Sequence, residues 1–305
     1  MKQKKNPRFR FSGSIDMEII RRQVKRHRRS VLGQWTIRIV VAAMIVTGTY
    51  LVIENQTYTS VATADSHKKD TEDSNQYIAF SDGVIRYSRD GVVFLNKKNK
   101  EKWIQPCQIQ NPIVDVNEDV FAIADVGGNT IMIFQKSGLK GEIETTLPIE
   151  KISVSNQGIV SAILKNESTP QIISYDAVGN ILVEHQVNLN STGYPISLDM
   201  SADGENLMVS YLSTKNGTLK SMVAFYNFGK EGQEKTDNLI YTEDFDQTVV
   251  PDVFYMDAST SVAVGDKSFV IYEGTKSVKK KTEVKLNQEI RSEFHSCLLY
   301  TSDAA

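Results

Sequence analysis

One phrase recurs five times along this chain. A β-branched strand ends in an aromatic residue, a polar turn follows, and another extended run begins. It reads Val92-Val93-Phe94-Leu95-Asn96, Ile131-Met132-Ile133-Phe134-Gln135, Ile172-Ile173-Ser174-Tyr175-Asp176, Val223-Ala224-Phe225-Tyr226-Asn227 and Phe269-Val270-Ile271-Tyr272-Glu273. Phe94 to Phe134 is 40 residues, Phe134 to Tyr175 is 41, Tyr175 to Tyr226 is 51 and Tyr226 to Tyr272 is 46. Self-similarity at a spacing of roughly 40–50 residues marks one supersecondary unit repeated, and a unit of that length made only of strands is a propeller blade.

The rest of each unit fits that reading. Alternating runs near a proline open four of the units, at Pro112-Ile113-Val114-Asp115-Val116, after Pro148, at Pro195-Ile196-Ser197-Leu198-Asp199-Met200 and, more loosely, at Pro251. Alternation is the signal of a half-buried strand, and proline at a strand start removes no ladder bond. Turns rich in Asn, Asp, Gly or Ser follow. Second strands are expected at 120–124, 159–164, 207–212 and 261–264. Fourth strands are expected at 143–147, 181–187, 239–242 and 282–286. The expected fold is all-β, a β-propeller of four-stranded blades with about five present between residues 76 and 295. An immunoglobulin-like sandwich is the rival, because it also uses short strands and regular turns.

Upstream lies a single apolar run. Residues 39–53 carry no charge, and extension back to Trp35 brings in Arg38. Nineteen helical residues rise about 28 Å, close to the hydrocarbon thickness of a bilayer. Trp35 and Tyr50 suit the two interfaces, Arg38 can snorkel, and Ile39, Val46 and Ile53 form the apolar body. Residues 1–38 hold twelve Lys/Arg against Asp16 and Glu18, a net charge of +10. The remainder holds the other 23 basic and 35 acidic residues, a net charge of −12. The positive-inside rule then places residues 1–34 in the cytosol and the acidic body outside. Ala62-Thr63-Ala64 resembles a signal-peptidase site, but the basic region before the apolar run exceeds thirty residues, longer than a whole signal peptide of about 15–30. An uncleaved signal anchor over 35–53 is therefore expected.

Ile15, Ile19, Ile20, Val24 and Val31 approximate a helical stripe opposite Arg21, Arg22, Lys25, Arg26, Arg28 and Arg29. That pattern predicts a basic amphipathic helix against an anionic leaflet. A topogenic flank accounts for these charges, so nucleic acid is not expected as a partner. Residues 54–75 are polar with almost no apolar clusters and read as a stalk.

Phe94-Leu95-Asn96-Lys97-Lys98-Asn99-Lys100-Glu101-Lys102-Trp103 resembles the quinoprotein-type repeat, with its strand, Asn turn and returning Trp. Tyr175-Asp176-Ala177-Val178-Gly179-Asn180-Ile181-Leu182 is similar but lacks the Trp. The Gly-His and Trp-Asp pairs of WD40 repeats are absent. The layout as a whole resembles an uncharacterised bacterial family of single-pass membrane proteins with a PQQ-like or WD40-like propeller outside the cell. Ser296-Cys297-Leu298-Leu299-Tyr300-Thr301-Ser302-Asp303-Ala304-Ala305 resembles a translated sequencing-adapter tail. Residues 296–305 are thus expected to be foreign, and the blade set C-terminally truncated.

No catalytic constellation is legible. His27, His67, His185 and His295 have no His or Cys at ligand spacing, and the two cysteines, Cys107 and Cys297, form no CxxC. No nucleophile elbow or phosphate loop occurs. Asp203-Gly204-Glu205 and Asp244-Phe245-Asp246 do not follow an EF-hand spacing and read as solvated turns. Lys279-Lys280-Lys281 reads as a charged strand edge that discourages sheet-to-sheet pairing. The expected function is a binding, scaffold or sensor module at the cell envelope. Its expected partners are the lipid bilayer and an envelope protein or cell-wall polymer, and no cofactor or metal is expected. The alternative is a quinoprotein-like or other propeller enzyme, which rests on fold analogy alone.

Overall fold

The computed structural model describes residues 17–54, 75–166, 169–215 and 217–290; within the first helix the described side chains are those of 33–51. The stalk and the C-terminal tail, residues 55–74 and 291–305, lie outside the described residues. The chain divides into two units, Met1–Asp70 and Thr71–Ala305.

The described residues of the first unit form one helix, α1 (Met17–Glu54). Where the sequence predicts a basic helix followed by a separate apolar one, the backbone runs through both without a break. The reason is local: no proline interrupts the segment, and Gly33 and Gly48 each cost only about 1 kcal/mol in a helix interior. Residues Gly33–Leu51 form a stretch long and apolar enough to cross a membrane, and none of it is buried. Trp35, Ile39, Val46 and Tyr50 are all more than half exposed. The Ile53 side chain lies outside the described residues. The threonine hydroxyls on this stretch are satisfied within the helix. Thr47 Oγ1 donates to the Ala43 carbonyl at 2.8 Å, Thr49 Oγ1 donates to the Ile45 carbonyl at 2.9 Å, and the Arg38 guanidinium lies 5.9 Å from the Trp35 ring centroid.

The described residues of the second unit form five four-stranded antiparallel sheets, each made from four consecutive strands. The first comprises β1 (Gln76–Phe80), β2 (Gly83–Ser88), β3 (Gly91–Asn96) and β4 (Glu101–Pro106). The second comprises β5 (Pro112–Asn117), β6 (Val120–Asp125), β7 (Thr130–Gln135) and β8 (Gly138–Glu144). The third comprises β9 (Ile149–Val154), β10 (Val160–Leu164), β11 (Gln171–Tyr175) and β12 (Ile181–Gln186). The fourth comprises β13 (Tyr194–Met200), β14 (Asn206–Lys215), β15 (Thr218–Asn227) and β16 (Leu239–Asp246). The fifth comprises β17 (Asp252–Tyr255), β18 (Thr260–Val264), β19 (Ser268–Glu273) and β20 (Lys279–Lys285). This is the β-propeller architecture. The first strands β5, β9, β13 and β17 lie beside one another, and the fourth strands are the exposed outer edges.

Four apolar clusters hold successive blades together, one at each junction. They explain why the middle strands are continuously apolar. Phe121 and Ile123 of β6 face the first blade, whereas Val120, Ala122 and Ala124 of the same strand face the third. A strand buried on both faces has no polar side to alternate with.

The repeated aromatic residues sit on the third strands, and those of the second to fifth blades are sockets for the blade before. Trp103 on β4 stacks on Phe134 of the next blade, with centroids 5.1 Å apart and planes at 7°, while also contacting Phe94 at 5.8 Å. Its indole N–H donates to the Lys136 carbonyl at 3.1 Å. His185 on β12 packs 4.9 Å from Tyr226, and Tyr241 on β16 lies 6.1 Å from Tyr272. Tyr175 lies in the cluster between the second and third blades. There the contact is backbone instead of ring: a Cβ at Gly141 of β8 would meet the Ala177 carbonyl oxygen at 1.7 Å.

Candidate binding site

Two features of the β unit bear on function, and neither is a motif. The first is a set of side chains on the innermost strands that join one blade to the next. Asp115 Oδ2 on β5 accepts the Val154 N–H of β9 at 2.6 Å. Ser153 Oγ on β9 accepts the Met200 N–H of β13 at 3.0 Å, and Asp199 Oδ2 on β13 accepts the Tyr255 N–H of β17 at 2.6 Å. The same contact is thus made three times in succession. Ser153 Oγ also donates to Asp199 Oδ1 and Ser197 Oγ to Asp252 Oδ1, both at 2.7 Å. Each such hydrogen bond contributes roughly 0.5–1.5 kcal/mol net. Burial, then the negative charge of Asp115, pushes the Asp199 carboxyl up to about 8. The Tyr255 hydroxyl is also raised, by burial first and by Asp199 second.

The sequence shows Asp115 and Asp199 within alternating strands but gives no reason to single them out. A signal exists in retrospect: each of these first strands carries one small acceptor flanked by apolar residues, as in Val114-Asp115-Val116, Ile152-Ser153-Val154 and Leu198-Asp199-Met200. Its partner is a backbone amide, which has no sequence identity.

The second feature is a cleft of about 550 Å³ between the third and fourth blades. Gln157 and Ile159 come to it from the β9–β10 turn, Ser174, Leu182 and Val183 from β11 and β12, and Asp203, Gly204 and Glu205 from the β13–β14 turn. Phe228, Gly229, Gln233 and Asn238 come from the β15–β16 connection. The two turns are bonded together: the Asn156 N–H donates to the Ala202 carbonyl at 2.9 Å, and Gln157 Nε2 donates to the Asp203 carbonyl at 3.1 Å.

The β15–β16 connection departs from the repeat. It carries a helical turn, α2 (Lys230–Gln233), and a 3₁₀ turn over Thr236–Asn238. Asn227 anchors it, donating through Nδ2 to Asn206 Oδ1 at 2.8 Å and accepting the Gly232 N–H at 3.1 Å. Gly232 has no room for a side chain, since a Cβ there would lie 1.5 Å from the Asn227 carbonyl oxygen. Asp237 and Asn238 follow each other with φ of 54° and 58°, a left-handed pair without glycine. His185 packs beside this connection, 6.2 Å from the Phe228 ring, and its Nε2 is buried without a hydrogen-bond partner among the described residues. Burial lowers its pKa, partly offset by Asp237, so the imidazole is neutral at pH 7.

The sequence-derived positions fall as follows. Phe94, Phe134, Tyr175, Tyr226 and Tyr272 are buried on third strands and Trp103 bridges two blades, so they build the frame and stay away from the cleft lining. Asp203 Oδ1 accepts from Ser201 Oγ and the Glu205 N–H, as a turn residue does. Asp244 and Asp246 pair with Lys220 at 3.2 and 3.4 Å. In the lysine run, Lys280 pairs with Glu243 and Glu283 at 2.8 Å, and Lys281 pairs with Glu273 at 3.3 Å. Cys107 is a free, half-buried thiol raised by burial, then by Asp90 and Glu142. No group of three or more His, Cys, Asp or Glu residues placed to hold a metal occurs among the described residues.

The profile of DUF5711, a family of unknown function, matches residues 54–300. No curated protein matches the chain. Among solved structures, hydrazine synthase of Kuenenia stuttgartiensis is similar at 13% identity and a TM-score of 0.50, over 75% of this chain and 72% of that one. The Pan2 WD40 domain of Neurospora crassa is 13% identical with a TM-score of 0.46 over 67% of this chain, which spans 63% of the Pan2 chain. Hsv2 of Kluyveromyces lactis is 9% identical with a TM-score of 0.49, over 69% of this chain and 73% of that one. At such identities the likeness concerns the fold alone.

Proposed function

The chain belongs to DUF5711, a family of unknown function, and from that footing we propose that it is a membrane-anchored, extracytoplasmic binding module of the cell envelope. The observation that carries this reading is the contrast within the β unit. Repeated inner-strand bonds and ring stacking fix the frame, while one connection, 228–238, breaks the repeat and walls a cleft. Rigid scaffolds that display variant loops are built for recognition. The anchor is supported by the exposed apolar surface of Gly33–Leu51 and by the charge asymmetry across it. The basic N-terminal region stays cytosolic and faces the anionic leaflet.

The test is affinity capture. Full-length chain in detergent is presented with solubilised envelope proteins and with purified wall polymer. Retention of one of these, reduced in a Gly232→Ala variant that deforms the 228–238 connection, is the expected result. Turnover of a small substrate with no partner retained argues for an enzyme instead.

A further inference from the structure

The cleft between the third and fourth blades has a chemistry that selects its occupant. We propose that it binds a small saccharide carrying a free amine. The inference rests on the binding-module reading of the β unit and is independent of the membrane anchor.

Acceptors dominate the lining. The carboxylates of Asp203 and Glu205 come from one turn; no Lys or Arg is in the lining among the described residues, and the ammonium of Lys140, beside it, is engaged by the Gln157 carbonyl. Lys276 lies within reach of the Glu205 charge, and its ammonium is held by Glu231 at 2.5 Å. Two carboxylates in the lining, against one ammonium already engaged beside it, disfavour phosphates and carboxylic acids and favour an ammonium. The amides of Gln157, Gln233 and Asn238 both donate and accept, which suits hydroxyl groups that do the same. Gln157 and Gln233 each spend one N–H of Nε2 on a carbonyl, of Asp203 and of Phe228, which leaves each one N–H and its acceptor oxygen for a ligand. Phe228, Leu182 and Ile159 add apolar surface for the C–H face of a ring. At about 550 Å³, the cleft lies within the volume of small-molecule sites, roughly 300–1,000 Å³.

The site is also built, because among the described residues its fourth wall, the helical β15–β16 connection, exists only in this blade. Asn227 pins the connection through Asn206 and Gly232, and the left-handed pair Asp237 and Asn238 sets the Asn238 amide at the rim. His185 is neutral beside Phe228, so it adds no positive charge to oppose an amine.

Calorimetric titration of the full-length chain tests this, in a zwitterionic detergent without a sugar headgroup and at a pH where the amine is charged. The ligands are glucosamine, glucose, glucose 6-phosphate and a glucosamine trimer. Glucosamine is expected to bind about tenfold more tightly than glucose, the usual worth of one charge-assisted hydrogen bond. The 6-phosphate is expected not to bind. Glu205→Gln abolishes the preference for the amine at an unchanged melting temperature. Asn238→Gly keeps the left-handed backbone and weakens all the sugars. Trimer binding tighter than monomer identifies a polymer as the source, and equal binding identifies the free sugar. Absence of saccharide binding, preference for the phosphate, or an amine preference that survives Glu205→Gln overturns the inference. A chain that binds no saccharide yet captures an envelope protein loses this inference and keeps the binding-module reading, whereas one that does neither loses both.

Discussion

At the scale of single residues, Asp199 connects structure to solution behaviour most directly. Its neighbours are Asp115 on β5, Ser153 on β9 and Tyr255 on β17. A carboxyl raised in the folded state to about 8 binds a proton that the unfolded chain, with a value near 3.9, has released. Between those values the native state holds more protons, so stability is highest below the unfolded value and falls as pH rises toward 8. Chemical denaturation of the wild type across that window is expected to show the decline, and Asp199→Asn, which mimics the neutral acid, is expected to flatten it. A second residue-scale expectation concerns the socket at Phe134, which is fully buried under Trp103. Phe134→Ala is expected to cost about 3–5 kcal/mol in the same assay, and Trp103→Ala less, because Trp103 is only half buried. The aromatic positions were legible because third strands are buried on both faces and keep their apolar run. The Asp115, Ser153 and Asp199 contacts were not, because an acceptor aimed at a backbone amide leaves no paired signature.

At the scale of elements, the close approach of the second and third blades gives a sharp expectation. Gly141 lies against the Ala177 carbonyl with no space for a Cβ. Gly141→Ala is expected to destabilise the fold by roughly 1–3 kcal/mol, the usual cost of overpacking, read as a lowered denaturation midpoint. The same substitution at Gly232 deforms one connection outside the sheets, so its effect is expected on ligand or partner retention more than on the unfolding midpoint. Legibility differed between elements for physical reasons. First and second strands of the last four blades are visible from alternation and turns. The first two strands of blade one, Gln76–Phe80 and Gly83–Ser88, have no opening proline and hide in a polar context. The fourth strand β8 begins at Gly138, five residues before the expected start at 143, because an exposed edge strand needs ladder bonds but no apolar pattern. The connection 228–238 looks like an ordinary polar turn, and its helical turns come from the Asn227 anchor.

At the scale of the whole molecule, repeat spacing and charge asymmetry carry the account. Twenty strands in five sheets follow from a repeat that places a two-faced apolar strand every 40 to 51 residues. The long helix follows from a span with no proline, and Gly33–Leu51 within it is long and apolar enough to cross a membrane. The proposed anchor rests on that length and on the basic flank. The most direct measurement is protease protection in intact cells expressing the full chain with a tag at its N-terminus. Added protease is expected to remove the β unit while the tag and helix stay protected with the membrane fraction. A β unit shielded until the cells are lysed, or recovered as soluble protein without the helix, contradicts it.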